Sequence, residues 1–136
     1  LCIFVTHLIY QWVLVPSAKK SGKALSDIGF SSFGNLCVHY AVPWLTVVQW
    51  LLWQDKSGLT IGRAAWWLVL PLAYFAFGMA HGATGKPIGH TGLLYPYPFL
   101  DLKRLGWGGL LRNTAVLLVL FFLLGCVLVG LGALLN

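Results

Sequence analysis

The residues best suited to chemistry in this 136-residue chain are a few uncharged polar side chains set inside apolar runs. Ser31, Asn35 and His39 recur at spacing four, and Thr46 and Gln49 follow in the same run. Helical geometry would put the first three on one stripe. Pro43 stands four residues after His39. A proline ring has no N–H and clashes with the carbonyl four residues back. The spacing therefore predicts a freed His39 carbonyl, a kink, and room beside the imidazole. Imidazole changes protonation near neutral pH, so His39 is the candidate general base. Asn35, one turn earlier, is placed to orient it. The competing structural role is a hydrogen bond from His39 to a neighbouring helix, and the sequence leaves both open.

A second polar group lies near the start of the chain, at Thr6, His7, Tyr10 and Gln11, with His7 and Gln11 again four apart. A threonine acts as a nucleophile only beside a base. Thr6 would meet His39 only through tertiary packing, so it reads more readily as a helix-packing hydroxyl. His81 and His90, with His7 and His39, raise a haem or metal reading. No ligand spacing of a known zinc or haem site accompanies them, and no metal or cofactor is expected. Farther on, Tyr74 follows Pro71, and Tyr95-Pro96-Tyr97-Pro98-Phe99-Leu100-Asp101 follows a Gly- and Pro-rich stretch. Each proline biases the residue before it toward extended backbone. This run is thus expected to lie extended on the membrane surface or tucked between helices. For Asp101, close to Lys103, Arg104 and Arg112, the simplest role is a surface ion pair.

The elements that must position these residues follow from where charge is missing. The chain is 59% hydrophobic and 9% charged. Ordinary soluble domains have about 45–50% apolar and about 25% charged residues. Twelve charged side chains are too few to wet a globule of this size, which excludes a soluble enzyme and a disordered chain. Stretches 1–18, 28–54, 64–85, 87–100 and 113–136 lack Asp, Glu, Lys and Arg. A bilayer core takes roughly 20 apolar helical residues to cross. All but 87–100 are long enough, or nearly so. The expected fold is therefore all-α: a polytopic transmembrane bundle with four spans at about 1–15, 31–53, 64–80 and 110–134. The segments are too long for barrel strands and lack their alternation.

Trp50, Trp53, Trp66, Trp67 and Trp107 fall at the ends of these spans, where aromatic residues favour the membrane–water interface; ordinary core packing is the alternative. The net charge of +6 is scattered between apolar runs, which argues against nucleic acid and toward anionic headgroups as partners. Lys19, Lys20 and Lys23 lie in the first loop, Lys56 and Arg63 in the second, and Lys86, Lys103 and Arg104 in the third. The first and third loops would share the cytoplasmic side under the positive-inside rule. Cys2, Cys37 and Cys126 are far apart, odd in number, and read as packing residues.

Three pieces of the chain together resemble a known family. They are Asn35-Leu36-Cys37-Val38-His39-Tyr40-Ala41-Val42-Pro43, Leu70-Pro71-Leu72-Ala73-Tyr74 and Tyr95-Pro96-Tyr97-Pro98-Phe99-Leu100-Asp101. Their order and separation resemble the bacterial relatives of the androgen-induced family of six-helix membrane proteins. The resemblance covers nearly the whole chain as the last four of six helices. The chain would then be a C-terminal piece, truncated at its N-terminus, of a bacterial cytoplasmic-membrane protein. Animal members are intramembrane threonine hydrolases that cleave fatty-acid esters of hydroxy fatty acids. The resemblance implies that His39 is the family histidine and that the nucleophilic threonine belongs to an earlier helix, outside these residues. Thr6 is too close in sequence to His39 for that role. Asn35, Pro43, Tyr74, Tyr95 and Asp101 are the supporting residues it implies, and a fatty-acyl chain is the substrate class. A non-catalytic lipid-binding or transport-associated membrane protein is the alternative. The resemblance to a six-helix protein fits poorly with the loop charges, so orientation stays open, as does the oligomeric state.

Overall fold

The computed structural model describes residues 2–20, 32–88 and 92–135. Ser31, Lys23 and His90 lie outside them. Every regular element among the described residues is helical, and the chain divides into two units, Leu1–Asp55 and Lys56–Asn136.

The first unit is an antiparallel pair of helical rods. One rod runs through α1 (Cys2–Ile9), a π-helical turn (Tyr10–Leu14) and α2 (Val15–Lys20). The other runs through α3 (Phe33–Leu36), a second π-helical turn (Cys37–Ala41) and α4 (Val42–Trp53). Both π turns have the same cause. Each is followed by Val-Pro, Val15-Pro16 and Val42-Pro43. The proline cannot donate to the carbonyl four residues back. The valine before it instead donates five residues back, Val15 to the Tyr10 carbonyl and Val42 to the Cys37 carbonyl. The turn widens rather than breaks. Antiparallel packing is visible in the ring contacts. Phe4 meets Trp44, His7 meets Tyr40, and Tyr10 meets His39.

The second unit contains two more rods. One is α5 (Ile61–Trp66) followed by α6 (Val69–Ala83), and the other is α7 (Leu102–Leu135). The expected single helix over 64–80 is interrupted at Trp67–Leu68. Pro71 explains the break, because Trp67 is the residue four before it. Here the chain tightens, with Leu68 donating to the Ala65 carbonyl three residues back. Pro43 and Pro71 thus produce opposite distortions. The last helix begins earlier than 110, because Asp101 caps it. The Asp101 carboxylate accepts from the Arg104 N–H at 3.2 Å, and its carbonyl accepts from Leu105 N–H at 2.9 Å. Gly106 then kinks the helix with φ 64° and ψ 173°, a conformation glycine alone adopts freely.

Close approach of α5 to α7 depends on glycine. A Cβ at Gly125 would stand 3.0 Å from Ala64 Cβ and 3.2 Å from the Trp67 ring, and one at Gly132 would stand 2.8 Å from Leu59. Small residues of this kind let membrane helices pack closely. Toward the other end, the stretch 94–102 fills the space between α6 and α7. Tyr95, Leu100 and Leu110 form its buried centre, with Phe75, Met79 and Phe99 packed against them.

Three rods are long and apolar enough to cross a membrane: Phe33–Trp53, Ile61–Ala83 and Leu102–Leu135. Cys2–Leu14 is a shorter apolar helix. The count of four fits the charge-free runs. Trp53, Trp66 and Trp107 are 66–75% exposed, whereas Trp67 is half-buried and Trp50 is buried and belongs to the core.

Candidate functional site

The two π turns bring the polar residues of the first unit together. His39 sits in the middle of its widened turn, and Tyr10 opens the other. The Tyr10 ring stacks on the imidazole with centroids 4.0 Å apart and planes 12° apart. Tyr10 is itself buried, and Asn35 donates its amide to the Tyr10 hydroxyl at 2.9 Å. Asn35 therefore bears on His39 through Tyr10. The Tyr40 hydroxyl donates to Gln11 Oε1 at 2.7 Å, a second tie between the rods.

The carbonyl that Pro43 frees is taken up by the neighbouring rod. His7 Nδ1 lies 2.6 Å from the His39 carbonyl oxygen. A carbonyl only accepts, so this nitrogen carries the proton and donates. His7 is buried, and Phe4, Tyr40 and Trp44 surround its ring at centroid distances of 5.2–5.8 Å. Pro43 is among the most deeply buried side chains. The imidazole of His39 makes no such commitment at Nδ1. That atom is buried and has no hydrogen-bond partner among the described residues. A buried polar atom left this way is costly. His81 Nε2 and Thr114 Oγ1 share that state among the described residues; His39 differs in lying between Tyr10 and His7.

Of the other polar residues expected here, Thr6 lies half-buried on α1 beside His7. Thr46 spends its hydroxyl on the Val42 carbonyl of its own helix at 2.8 Å, and Gln49 is exposed. The expected stripe is only partly described, since Ser31 lies outside the described residues. The sequence pointed to Asn35, His39 and Pro43 on one helix and to His7, Tyr10 and Gln11 on another. It did not show that the two groups interlock. The repeated Val-Pro after a polar aromatic stretch was the available signal.

Tyr74, Tyr95 and Asp101 belong to the second unit and form a different cluster. Tyr74, Gly78 and Gly82 line one side of α6 at spacing four. Tyr95 lies directly over Gly82, Pro96 over Gly78, and Tyr97 beside Tyr74 with ring centroids 6.1 Å apart. Tyr97 also stacks on Phe99 at 4.9 Å. Burial, together with the neighbouring Tyr74 phenol and a hydrogen bond to it, pushes the Tyr97 phenol up to about 12. Asp101 acts as the helix cap described above. The Arg104 guanidinium donates to the Pro98 carbonyl at 3.1 Å, and the Asn113 amide donates to the Phe99 carbonyl at 3.4 Å. The expected extended run is thus tucked against helices and tied down at its end. The structure gives Tyr95 and Asp101 these packing and capping roles.

Compared with known proteins, the chain matches no family model, no curated relative and no solved structure.

Proposed function

We propose that this membrane protein is an intramembrane hydrolase of fatty-acid esters in which His39 is the proton-transfer group. The observation that carries the reading is the His39 side chain. Its Nδ1 is buried without a partner among the described residues, while Tyr10 fixes the ring and His7 holds the backbone beneath it. A base must be oriented and yet have a nitrogen to spare. The nucleophile in this reading is a threonine of an upstream helix, as the family resemblance implies. As the threonine oxygen bonds to the acyl carbon, His39 takes its proton. The ester C–O bond then breaks, and the leaving alcohol receives that proton, which leaves an acyl-threonine. Water adds next, giving its proton to His39. The acyl-threonine bond breaks, the threonine oxygen recovers the proton, and the free fatty acid departs.

The test is labelling of the full-length protein with a fluorophosphonate probe in detergent. Labelling in the native protein and its loss in His39→Ala is the expected result. Labelling that survives His39→Ala unchanged removes His39 from this role.

A second reading is favoured by the hydrogen bonds that join the rods: His7 to His39, Asn35 to Tyr10, and Tyr40 to Gln11. Interhelical polar bonds in membrane proteins average about 0.6 kcal/mol each. The polar cluster would then tie helices in a non-catalytic lipid-binding or transport-associated protein. This reading predicts no covalent adduct with the probe and a lower melting temperature for His39→Ala.

A further inference from the structure

A cavity of about 150 Å³ opens beside the start of α7, outside the His39 cluster. Its walls are Leu93, Leu94, Tyr95, Tyr97 and Pro98, and its charged residues are Asp101 and Arg104. Two features of this cavity point to a ligand. First, it holds one acid and one base that are committed elsewhere only in part. The Asp101 carboxylate caps the helix through one oxygen, Oδ1, and the Arg104 guanidinium donates to the Pro98 carbonyl. A guanidinium has five N–H groups, and a carboxylate about four acceptor positions, so both retain capacity. Second, the cavity sits at the polar end of a membrane helix. Trp107, 66% exposed, follows just beyond the Gly106 kink, Lys103 adjoins Arg104, and Arg112 lies farther along α7. Exposed tryptophan and clustered cations mark the level of lipid headgroups.

We infer that this cavity binds the headgroup of a phosphatidylethanolamine-type lipid, with the phosphate on Arg104 and the primary ammonium on Asp101. A guanidinium pairs with phosphate through a planar fork of N–H groups. A primary ammonium offers three donors to a carboxylate, whereas a choline offers none and is bulkier. A glycerol headgroup leaves Asp101 without a cation. The apolar and aromatic walls cover the glycerol end, from which the acyl chains run along the exposed apolar flank of α7 at Leu111, Val116 and Val119. The inference is independent of the hydrolase reading, since it uses none of the His39 cluster.

The test titrates short-chain phospholipids onto the full-length protein in neutral detergent and reads dissociation constants by native mass spectrometry. The ethanolamine lipid should bind about fivefold tighter than the choline lipid of equal chain length, the order of one partly exposed ion pair. Asp101→Asn should bring that ratio to one. Asparagine caps helices as well as aspartate, so the variant keeps the fold and loses only the charge. Arg104→Gln should weaken both lipids together, while Arg104→Lys should weaken them less. Lys20→Gln, which removes a cation elsewhere, should change neither. A native ratio of one overturns the inference, as does a ratio that persists in Asp101→Asn. Tightest binding of the glycerol lipid, insensitive to Asp101→Asn, overturns it in favour of unspecific attraction to negative charge. Displacement of the lipid by equimolar glycerophosphoethanolamine, which has no acyl chains, overturns the lipid as the source.

Discussion

Replacing Gly82 with alanine tests the placement of the Tyr-Pro-Tyr-Pro segment, because its sign is opposite to what helix propensity predicts. Alanine in place of a helical glycine ordinarily stabilises by about 0.8–1 kcal/mol. At Gly82 the added Cβ would meet the Tyr95 ring, with Cζ at 2.6 Å and Cδ1 at 2.7 Å. Ordinary carbon contacts lie at about 3.5–4.0 Å, so the ring must withdraw by about 1 Å. Tyr95 is 7% exposed and packed in the core of its unit, so it cannot swing into open space. Overpacking of this kind costs about 1–3 kcal/mol. The expected net effect of Gly82→Ala is a destabilisation of up to about 2 kcal/mol, measured by thermal or denaturant unfolding in detergent. Gly78 supplies the control on the same helix face. Its Cβ would stand 3.5 Å from Pro96 Cγ, an ordinary contact, so Gly78→Ala should be neutral or stabilising. Adding Tyr95→Leu should recover most of the loss at Gly82. If both alanines stabilise equally, Tyr95 does not rest on Gly82, and the account of this segment is wrong.

Three further outcomes are expected. His7→Phe keeps the aromatic packing but removes the donor to the His39 carbonyl, and should cost about 1–2 kcal/mol of stability. In a Pro43→Ala background residue 43 regains an N–H for that carbonyl, so the same change should cost less than half as much; equal costs in a double-mutant cycle would refute the link. Asp101→Ala should lower stability by about 1 kcal/mol through loss of the cap, with Asp101→Asn close to native in the same unfolding assay. Tyr97 should be a late-titrating phenol by tyrosinate absorbance, near pH 12, and Tyr97→Phe should remove that step. Its folded value lies above the usual 10.0, so its contribution to stability is complete below pH 10 and is lost as pH rises from there toward 12.

Much of the architecture could be read from the sequence, because membrane helices announce themselves by where charge is missing. The runs around His39, Tyr74 and Val116 became helices. The carbonyl freed by Pro43 was also legible, since it follows from covalent chemistry alone. Its partner was not, because His7 reaches it through tertiary packing across 32 residues. Tyr10 escaped for the same reason. The Asp101 cap is legible as an aspartate that can start a helix, but Lys103, Arg104 and Gly106 separate it from the charge-free run. The glycine pair at 78 and 82 likewise marked where another segment could approach α6 closely. What periodicity could not reveal was the contrast between Pro43 and Pro71. Both remove a donor, yet the chain widens before Pro43 and tightens before Pro71.

The paired π turns carry a consequence for how the hairpin of the first unit tolerates changes in length. A π turn amounts to an α-helix that holds one surplus residue. Deleting a residue from Tyr10–Leu14 or from Cys37–Ala41 would restore regular winding. Because the wide turn absorbs the surplus, the flanking segments would keep their orientation about the helix axis, and only residues of the turn itself would change face. Deleting a residue from regular α-helix would instead rotate everything beyond it by about 100°. The hairpin should therefore accept single deletions within its two π turns better than single deletions in α1 or α4, a rule that a deletion scan along both rods would expose.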